Sequence, residues 1–293
     1  MKQPALPRLL FAVKNGKWVS IRSVASGLAC GCHCAACGAP LIAKKGKKQQ
    51  HHFAHAHGQI CTGGLETSLH HFAKSAIVQS KAILLPAVEV FKGKTIQVAR
   101  WIKADRAFKE HSIGRLRLDV WLEAAHFQLA IEIKVTHAVG KSKQRQLIRQ
   151  GIPAIEIDVI RIYQELLALD QAGDITALRQ AILRHPTHRS WLFSPLQHRW
   201  EYRIAKEAQP LKVHHSKQGN YHHYHVYRCP RHLRFVRGGF RDGQSYARVF
   251  QDCLHCSNCR EIVYKKEWVG FKQIPITPQE IICSGFYNGR MSE

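Results

Sequence analysis

Two neighbouring segments in which apolar and polar residues alternate constrain the fold of this chain more than any other feature. They are RLRLDVWLEA (115–124) and FQLAIEIKV (127–135). Alternation of this kind predicts β-strands, and the short turn between the segments predicts an antiparallel hairpin. Facing residues of such a pair share one side of the sheet, and a slip of one residue would expose one strand's apolar set. The expected apolar side contains Leu118, Val120, Ile131 and Ile133.

The other side of the predicted hairpin carries charged residues. Asp119 falls on this side together with Glu132 and Lys134. If the turn centres between Ala125 and His126, Asp119 lies directly opposite Glu132, with Cβ atoms about 5 Å apart. Two carboxylates at that distance repel each other unless a cation lies between them, and oxygen ligands of this type suit Mg²⁺ or Mn²⁺. The alternative is a solvated face on which Glu132 and Lys134 form an ordinary ion pair.

The segments around the hairpin predict a mixed α/β core with the element order αβββαβ. Hydrophobic periodicity predicts helices over 63–84, 140–150 and 175–185, and strands over 95–102 and 153–159. The chain thus divides into three predicted blocks. They are an N-terminal element with one group of cysteines (1–62), the α/β core (63–188) and a C-terminal module with a second group of cysteines (189–293).

The charge balance of the chain indicates a polyanionic partner. Its 293 residues include 44 Lys and Arg against 20 Asp and Glu, which gives a formal net charge of +24. Such a surplus favours binding to nucleic acid. No apolar run approaches the roughly 20 residues that a membrane-spanning helix needs, and the first residues lack the features of a secretory signal. We therefore expect a cytoplasmic protein without a membrane partner.

Nine of the ten cysteines form two clusters, with Cys283 apart, and the spacing within the clusters is typical of zinc sites rather than disulfides. In the first cluster, Cys34 and Cys37 form a C-x-x-C pair. Two more ligands are expected from His55 and Cys61, with His52 as the alternative to His55. No coordination position is left open in such a set, so the site is predicted to be structural.

The second cluster predicts a zinc ribbon. A C-x-x-H pair and a C-x-x-C pair are separated by about twenty residues. The expected zinc ligands are Cys229, His232, Cys256 and Cys259, and Cys253 competes for one of these places.

Two basic surfaces are candidates for nucleic-acid binding. Lys141, Arg145 and Arg149 recur every four residues along a predicted helix, which places them on one face. The predicted ribbon interleaves arginines with aromatic residues, a combination that lets rings stack on bases while the charges contact phosphates. Arg234 and Arg237 are the ribbon arginines expected to bind nucleic acid.

The charged side of the hairpin resembles a known catalytic signature. Asp119 followed by Glu132-Ile133-Lys134 on the next strand resembles the D…ExK motif of the PD-(D/E)XK nucleases. The αβββαβ order likewise resembles their restriction-endonuclease-like core. The resemblance implies that Asp119, Glu132 and the Ile133 carbonyl hold a divalent ion, while Lys134 orients or polarises the attacking water. A metal at such a site neutralises developing phosphate charge and lowers the pKa of bound water.

A longer stretch, about residues 30–160, is similar to the competence protein CoiA family. The shared motifs are a C-x-x-C pair, an HF-x-H element and a helix opening with E-(S/T)-x-x-H and a lysine four residues further on. Here they are formed by Cys34, Cys37, His52, Phe53, His55, Glu66, His70 and Lys74. The similarity implies that Glu66 completes the acidic pocket. Members of the family often carry Gln at the position of Lys134, so this chain is nearer to the standard nuclease signature.

Together these patterns predict a zinc-containing, Mg²⁺-dependent deoxyribonuclease. It would hydrolyse phosphodiester bonds with metal-activated water, in DNA uptake, recombination or defence against foreign DNA. The preference for DNA rests on the resemblance alone, and the sequence leaves RNA open. The alternative is a catalytically idle, zinc-containing protein that binds or loads DNA. A redox protein that uses the C-x-x-C pairs is disfavoured by the histidines beside them.

Overall fold

The chain begins with an antiparallel five-stranded sheet. The computed structural model describes residues 8–47, 50–56, 61, 63–90, 94–269 and 272–285. The sheet has the order β2-β1-β3-β4-β5. Its strands are β1 (Phe11–Lys14), β2 (Lys17–Ser20), β3 (Gly27–His33), β4 (Pro40–Lys44) and β5 (His52–His55). Asn15 and Gly16 both have positive φ, which a two-residue hairpin turn between β1 and β2 requires.

Two compact units divide the chain. The first contains residues 1–87 and 98–195, and the second contains residues 88–97 and 196–293. The first two predicted blocks therefore lie within one unit. The insertion of 88–97 into the second unit could not be foreseen from the order of residues, because it depends on contacts made far along the chain.

Helix α1 (Gly64–Ser80) follows the first sheet. Its apolar residues at helical spacing are buried, as the periodicity predicted, and they include Leu65, Leu69 and Phe72. Gly63 precedes the helix with a φ of +82°, a conformation that glycine adopts without strain. None of the helices within the described residues is long and apolar enough to cross a membrane.

The single strand predicted over 95–102 is wrong. The segment is interrupted at Val98 and Ala99, and its halves pair with different partners. β8 pairs with β7, and β9 pairs with β6. Their bounds are β6 (Ala82–Leu85), β7 (Val88–Val90), β8 (Lys94–Gln97) and β9 (Arg100–Lys103). The alternation of apolar and polar residues predicted extended backbone, but it gave no information on which strand each half of the segment pairs with.

A mixed five-stranded sheet carries the predicted hairpin at its centre. It has the order β10-β11-β12-β13-β14, and β12 and β13 are its parallel pair. The bounds are β10 (Arg106–Ile113), β11 (Leu116–Ala124), β12 (Phe127–Lys134), β13 (Ala154–Asp158) and β14 (Arg189–Phe193). Val120 pairs with Ile131 and Ala124 with Phe127, so the predicted register is confirmed. The first strand of the αβββαβ order is β10 rather than 95–102.

Helices cover both faces of this sheet. Helix α1 and helix α3 (Val159–Ala168) contact strands on one face, α2 (Lys141–Arg149) covers the other, and α4 (Ile175–Arg184) packs against α1 and α3. Helix α3 was not predicted. Val120 and Ile131 belong to the core that includes α1, whereas Leu118 packs with Leu147 of α2. The expectation that Leu118 and Val120 share one apolar layer is therefore wrong.

The cause lies in the strand beside Asp119. Glu110 faces this residue in β10 and has a φ of +51°. Lys109 and His111 pair with Val120 and Leu118, so the ladder is regular on both sides of the irregular residue. A residue in the left-handed region interrupts the pleat, and the alternation of faces changes there.

Besides the β7–β8 pair, the second unit contains sheets of orders β15-β21-β20 and β16-β17-β19-β18. Helix α5 (Pro195–Glu207) leads into this part of the chain. The strands are β15 (Gln209–Lys212), β16 (His214–Gln218), β17 (Tyr221–Tyr227), β18 (Arg234–Phe235), β19 (Ser245–Arg248), β20 (Cys259–Val269) and β21 (Lys272–Cys283). Their common core is built around cysteines, Val226 and Ile281.

Candidate active site and metal centres

Asp119 lies in β11 opposite the irregular residue Glu110 of β10, and its carboxylate points to helix α1. Oδ2 accepts hydrogen bonds of 2.9 Å from His70 Nε2 and from the backbone N–H of Ile133. Oδ1 lies 2.9 Å from Lys74 Nζ. These donors hold the pKa of Asp119 well below its ordinary value despite burial, which acts in the opposite direction. Asp119 is therefore ionised across the neutral range.

Glu132 is almost fully buried and faces helix α2. Its Oε2 lies 2.6 Å from Lys143 Nζ, while its Oε1 is buried without a hydrogen-bond partner among the described residues. Burial raises the pKa of Glu132 to about 7, and the charge of Asp119 acts in the same direction. The neighbouring Lys143 lowers it but does not offset the burial. This carboxylate titrates near neutral pH and keeps one oxygen available.

The Asp119 and Glu132 carboxylates point to different sides of the sheet. The sequence predicted that Asp119 and Glu132 share a face, whereas the structure directs them to α1 and α2. The register was right, but the interrupted ladder turns Asp119 toward the helix that covers the other side. The hydrogen bond from the Ile133 N–H nevertheless keeps Asp119 beside the strand segment that carries Glu132.

Lys134 is held by a neighbour that sequence reasoning did not identify. In the parallel pairing of β12 and β13 it lies beside Asp158, and their Nζ and Oδ2 atoms are 2.7 Å apart. The same register places Glu156 beside Glu132. Glu156 Oε2 accepts a 2.6 Å hydrogen bond from the Val139 N–H. Glu156 is thus a third carboxylate at the site.

The polar stripe of α1 faces the site as expected. Glu66 accepts a hydrogen bond from Thr136 Oγ1, just beyond the end of β12. Lys74 is buried and forms ion pairs with Glu110 and Asp119. Within the described residues, the structure thus brings Glu66 to the segment after the ExK motif, but its contact there is a hydroxyl rather than another carboxylate.

Lys143 is the most informative residue that sequence reasoning missed. It lies in the first turns of α2, two residues after Lys141, which had been assigned to a basic stripe. The sequence did contain a signal for this residue. The helix that connects two parallel strands begins near the carboxyl end of the first strand, so a lysine in its first turns lies close to that end. The sequence alone could not show that it reaches Glu132.

The first cysteine cluster contains the predicted ligand set. The ligand atoms of Cys34, Cys37, His55 and Cys61 all lie within 4.8 Å of one another. Cys37 Sγ is 3.3 Å from His55 Nε2. This cluster could hold a zinc ion. The alternative ligand His52 instead places its Nδ1 2.9 Å from the Gln50 carbonyl oxygen.

Glycine at position 64 allows this cluster to close against the start of α1. A Cβ atom there would lie 3.2 Å from Cys61 Sγ and 3.6 Å from His55 Cε1. Two other cysteines of the N-terminal segment lie in the hydrophobic core and outside this cluster. Cys30 and Cys32 are buried, and burial raises the pKa of Cys32 to about 11.

The second cysteine cluster departs from the predicted ligands. Five thiols line one small cavity of about 20 Å³, and they come from Cys229, Cys253, Cys256, Cys259 and Cys283. His232 is exposed, and its ring stacks on Phe235 at a centroid distance of 6.0 Å. The structure therefore assembles the predicted cysteines with Cys253 and Cys283 but places the His232 ring on the surface. Burial raises the pKa of Cys253 to about 12.

The predicted basic residues divide into exposed and paired ones. Lys141, Arg145 and Arg149 are exposed along α2. Arg237 is also exposed and lines a groove of about 500 Å³. Arg234, in contrast, forms a two-pronged ion pair with Asp252, at 2.6 and 3.0 Å. This ion pair neutralises the Arg234 charge within the second unit.

Other residues of the groove are aromatic or imidazole side chains. They include His223, His225, Tyr227, Phe235 and Tyr246. Phe235 is half exposed, and Phe240 nearby in the sequence is fully exposed.

Comparisons of the chain with protein-family models, curated proteins and solved structures found no match.

Proposed function

We propose that this protein is a metal-dependent nuclease of the PD-(D/E)XK type that acts on DNA. The observation that carries the proposal is the buried Oε1 of Glu132, which has no hydrogen-bond partner among the described residues. Leaving such an atom unsatisfied is costly, whereas a bound cation would satisfy it. The order αβββαβ and the expected register of the hairpin support the same assignment.

The side chains at the site fit a divalent ion that prefers oxygen. An ionised carboxylate has about four acceptor positions. Asp119 uses three of them for His70, Ile133 and Lys74, so one remains. Glu132 Oε1 supplies a second oxygen, and Glu156 is the further candidate. When bound, Mg²⁺ or Mn²⁺ would neutralise charge on the scissile phosphate and lower the pKa of water.

The lysines have separate roles in this proposal. Lys143 balances the charge of Glu132 and keeps its Oε2 oriented. Lys134 must leave Asp158, or act through it, to reach a substrate phosphate, since its ammonium is held at 2.7 Å. His70 and Lys74 hold Asp119 in its ionised form. Glu66, whose hydroxyl partner is Thr136, orders the segment that follows the motif.

The second unit is proposed to bind the nucleic acid. Its groove combines Arg237 with exposed aromatic rings, which contact phosphates and stack on bases respectively. The exposed face of α2 adds a second set of cations. Zinc at the two cysteine clusters would stabilise both units without taking part in the reaction.

Supercoiled plasmid incubated with Mg²⁺, Mn²⁺ or EDTA tests the activity. The wild-type protein should nick or linearise DNA only with metal, and Glu132→Gln should reduce the rate by about a thousandfold, because a neutral amide replaces the charged carboxylate that would bind the metal. Glu123→Gln is the matched control. Glu123 lies in β11 and bonds to Trp121 and Arg106, away from the proposed metal.

The outcome also decides between the proposal and its rival. If wild type and Glu132→Gln both bind DNA and neither cuts it, the protein is a catalytically idle binding protein. A specific observation favours this rival, since Lys134 and Asp119 are both engaged within the protein. Cleavage that survives Glu132→Gln would overturn the assignment of the site.

A further inference from the structure

Two histidines and a glutamate converge outside the proposed active site. His185 and His188 flank the turn between α4 and β14, and Glu165 lies in α3. Pro186 follows His185 and ends helix α4. The chain then turns back so that His188, at a φ of +56°, faces the same carboxylate. A non-glycine residue rarely adopts this conformation unless the surrounding structure holds it there.

The geometry is that of three ligands around a common point. His185 Nε2 lies 2.8 Å from Glu165 Oε2, and His188 Nε2 contacts the other oxygen. The three ligand atoms lie within 4.8 Å of one another. The two imidazole rings stack with centroids 5.2 Å apart. Each side chain is partly exposed, so water can reach the centre of the group.

The chemistry of this set selects the class of ion. Two imidazole nitrogens with one carboxylate suit Zn²⁺ and similar transition-metal ions, whereas Mg²⁺ and Ca²⁺ prefer oxygen ligands alone. Three protein ligands leave a fourth position for water. Thr187 also contacts this ring: its backbone N–H donates to His185 Nδ1 at 3.3 Å, its hydroxyl lies 3.1 Å from the same nitrogen, and both contacts orient the ring.

We propose that Glu165, His185 and His188 form a third metal site, specific for a Zn²⁺-like ion and independent of both cysteine clusters. Such an ion would join α3 to the turn before β14. The turn is also bonded to the central sheet, because the Asp158 N–H donates to the His188 carbonyl oxygen at 2.8 Å. The site thus braces the strand whose Asp158 holds Lys134.

Zinc bound at fixed free concentration tests the site in the full-length protein. Wild type and His185→Gln/His188→Gln are dialysed against micromolar free Zn²⁺ set by a chelator, and bound metal is measured by mass spectrometry. The double variant should retain the cysteine-bound zinc and bind one equivalent less than wild type. In wild type the same Zn²⁺ should raise the unfolding temperature further than in the variant, because ligands stabilise the folded state they bind.

Two other variants complete the test. His126→Gln removes an exposed histidine from the β11–β12 turn and should bind as much zinc as wild type, which controls for general binding to histidines. If the double variant fails to fold, Glu165→Gln, which keeps the shape of the side chain, should weaken binding of the third equivalent at least tenfold. Equal zinc content in wild type and in folded His185→Gln/His188→Gln or folded Glu165→Gln overturns the proposal.

Discussion

The two units of the chain use their charged side chains in opposite ways. At the proposed active site of the first unit the carboxylates are largely buried and paired with lysines, as Glu132 is with Lys143 and Asp119 is with Lys74. In the second unit arginine is exposed beside aromatic rings, as Arg237 and Phe235 are in the groove. Buried charges shift pKa values strongly, whereas exposed charges are screened but remain free to meet a polyanion.

The comparison teaches where each kind of function can be placed. A site that must hold an ion in a fixed position gains from the low dielectric of the interior. A surface that must bind phosphates of a long polymer gains from many accessible cations. We therefore expect substitutions at the proposed active site to change stability and chemistry, and those in the groove of the second unit to change affinity.

The largest effect is expected from the first cysteine cluster. Cys37 is exposed, so Cys37→Ser removes no core packing, and any large change reports the loss of a zinc ligand. Zinc binding contributes on the order of 10 kcal/mol to small zinc-stabilised folds, so the first unit should lose its cooperative unfolding transition. Calorimetry and zinc content measure this, and the second unit should unfold as before.

Cys30→Ala separates the role of the ligand from that of a buried thiol. Cys30 is fully buried and bonds to the Leu41 carbonyl oxygen, but it lies outside the zinc cluster. This variant should lose some stability and keep its zinc. Equal zinc content in Cys37→Ser and wild type would show that the cluster is not a zinc site.

A smaller effect follows from the raised pKa of Glu132. Its pKa of about 7 in the folded protein lies above the ordinary value of 4.5. Between these two values the folded state holds more protons than the unfolded state, so stability falls as pH rises from 4.5 to 7. The change amounts to about 3 kcal/mol. Urea unfolding of wild type without added Mg²⁺ should show this slope, which Glu132→Gln should remove.

The carboxylate of the second unit gives the contrasting case. Arg234 lowers the pKa of Asp252, so its contribution to stability is present at neutral pH and is lost only as pH falls into the acid range. Asp252→Asn should therefore leave the slope between pH 4.5 and 7 unchanged. A wild-type slope that persists in Glu132→Gln would mean that another group causes it.

Binding of DNA is expected to depend on the groove of the second unit. Arg237→Ala combined with Phe235→Ala should weaken affinity about tenfold, since stacking on one base contributes roughly 1–3 kcal/mol. Arg237→Ala alone should make the slope of log K against log salt shallower by about 0.7 to 0.9. Fluorescence anisotropy over a salt series measures both. Cleavage at saturating protein should change little.

Lys103→Ala provides the matched loss of one positive charge. Lys103 is exposed in β9 of the first unit. It should leave the salt slope within error of wild type. If both variants reduce the slope equally, binding follows net charge rather than the groove, and the contrast between the units fails.

The smallest expected effect concerns the contact between α1 and the zinc cluster. Gly64→Ala places a Cβ atom 3.2 Å from Cys61 Sγ, so the ligand must shift by a few tenths of an ångström. We expect zinc affinity to fall a few-fold in a chelator competition assay. Gly140→Ala is the control, because a Cβ there meets no atom within 4 Å. Equal zinc affinities of Gly64→Ala and wild type would show that the cluster tolerates the shift.

Local patterns in the sequence were sufficient for the elements whose determinants lie close together. The hairpin register around Val120 and Ile131 follows from alternation and a short turn. The ligand set of Cys34, Cys37, His55 and Cys61 follows from spacing over fewer than thirty residues. The polar stripe of α1 follows from helical periodicity.

Contacts between distant residues decided the rest. The left-handed conformation of Glu110 changed the direction of Asp119, and the alternating pattern of β11 gave no sign of it. His232 satisfied the spacing of a zinc ligand, yet its ring lies against Phe235 while Cys283 joins the other cysteines. Spacing describes what one loop can offer, and only the packed core selects which side chains meet.

The sequence by itself determined the central hairpin and its register, which place Asp119 and Glu132 on adjacent strands, because hydrophobic burial and pleat geometry act over neighbouring residues. The tertiary structure alone decided which cation faces each carboxylate. Lys134 meets Asp158 through the register of two parallel strands, and Lys143 meets Glu132 through the crossover helix. Those partners are set by the packing of whole elements, which no local pattern encodes.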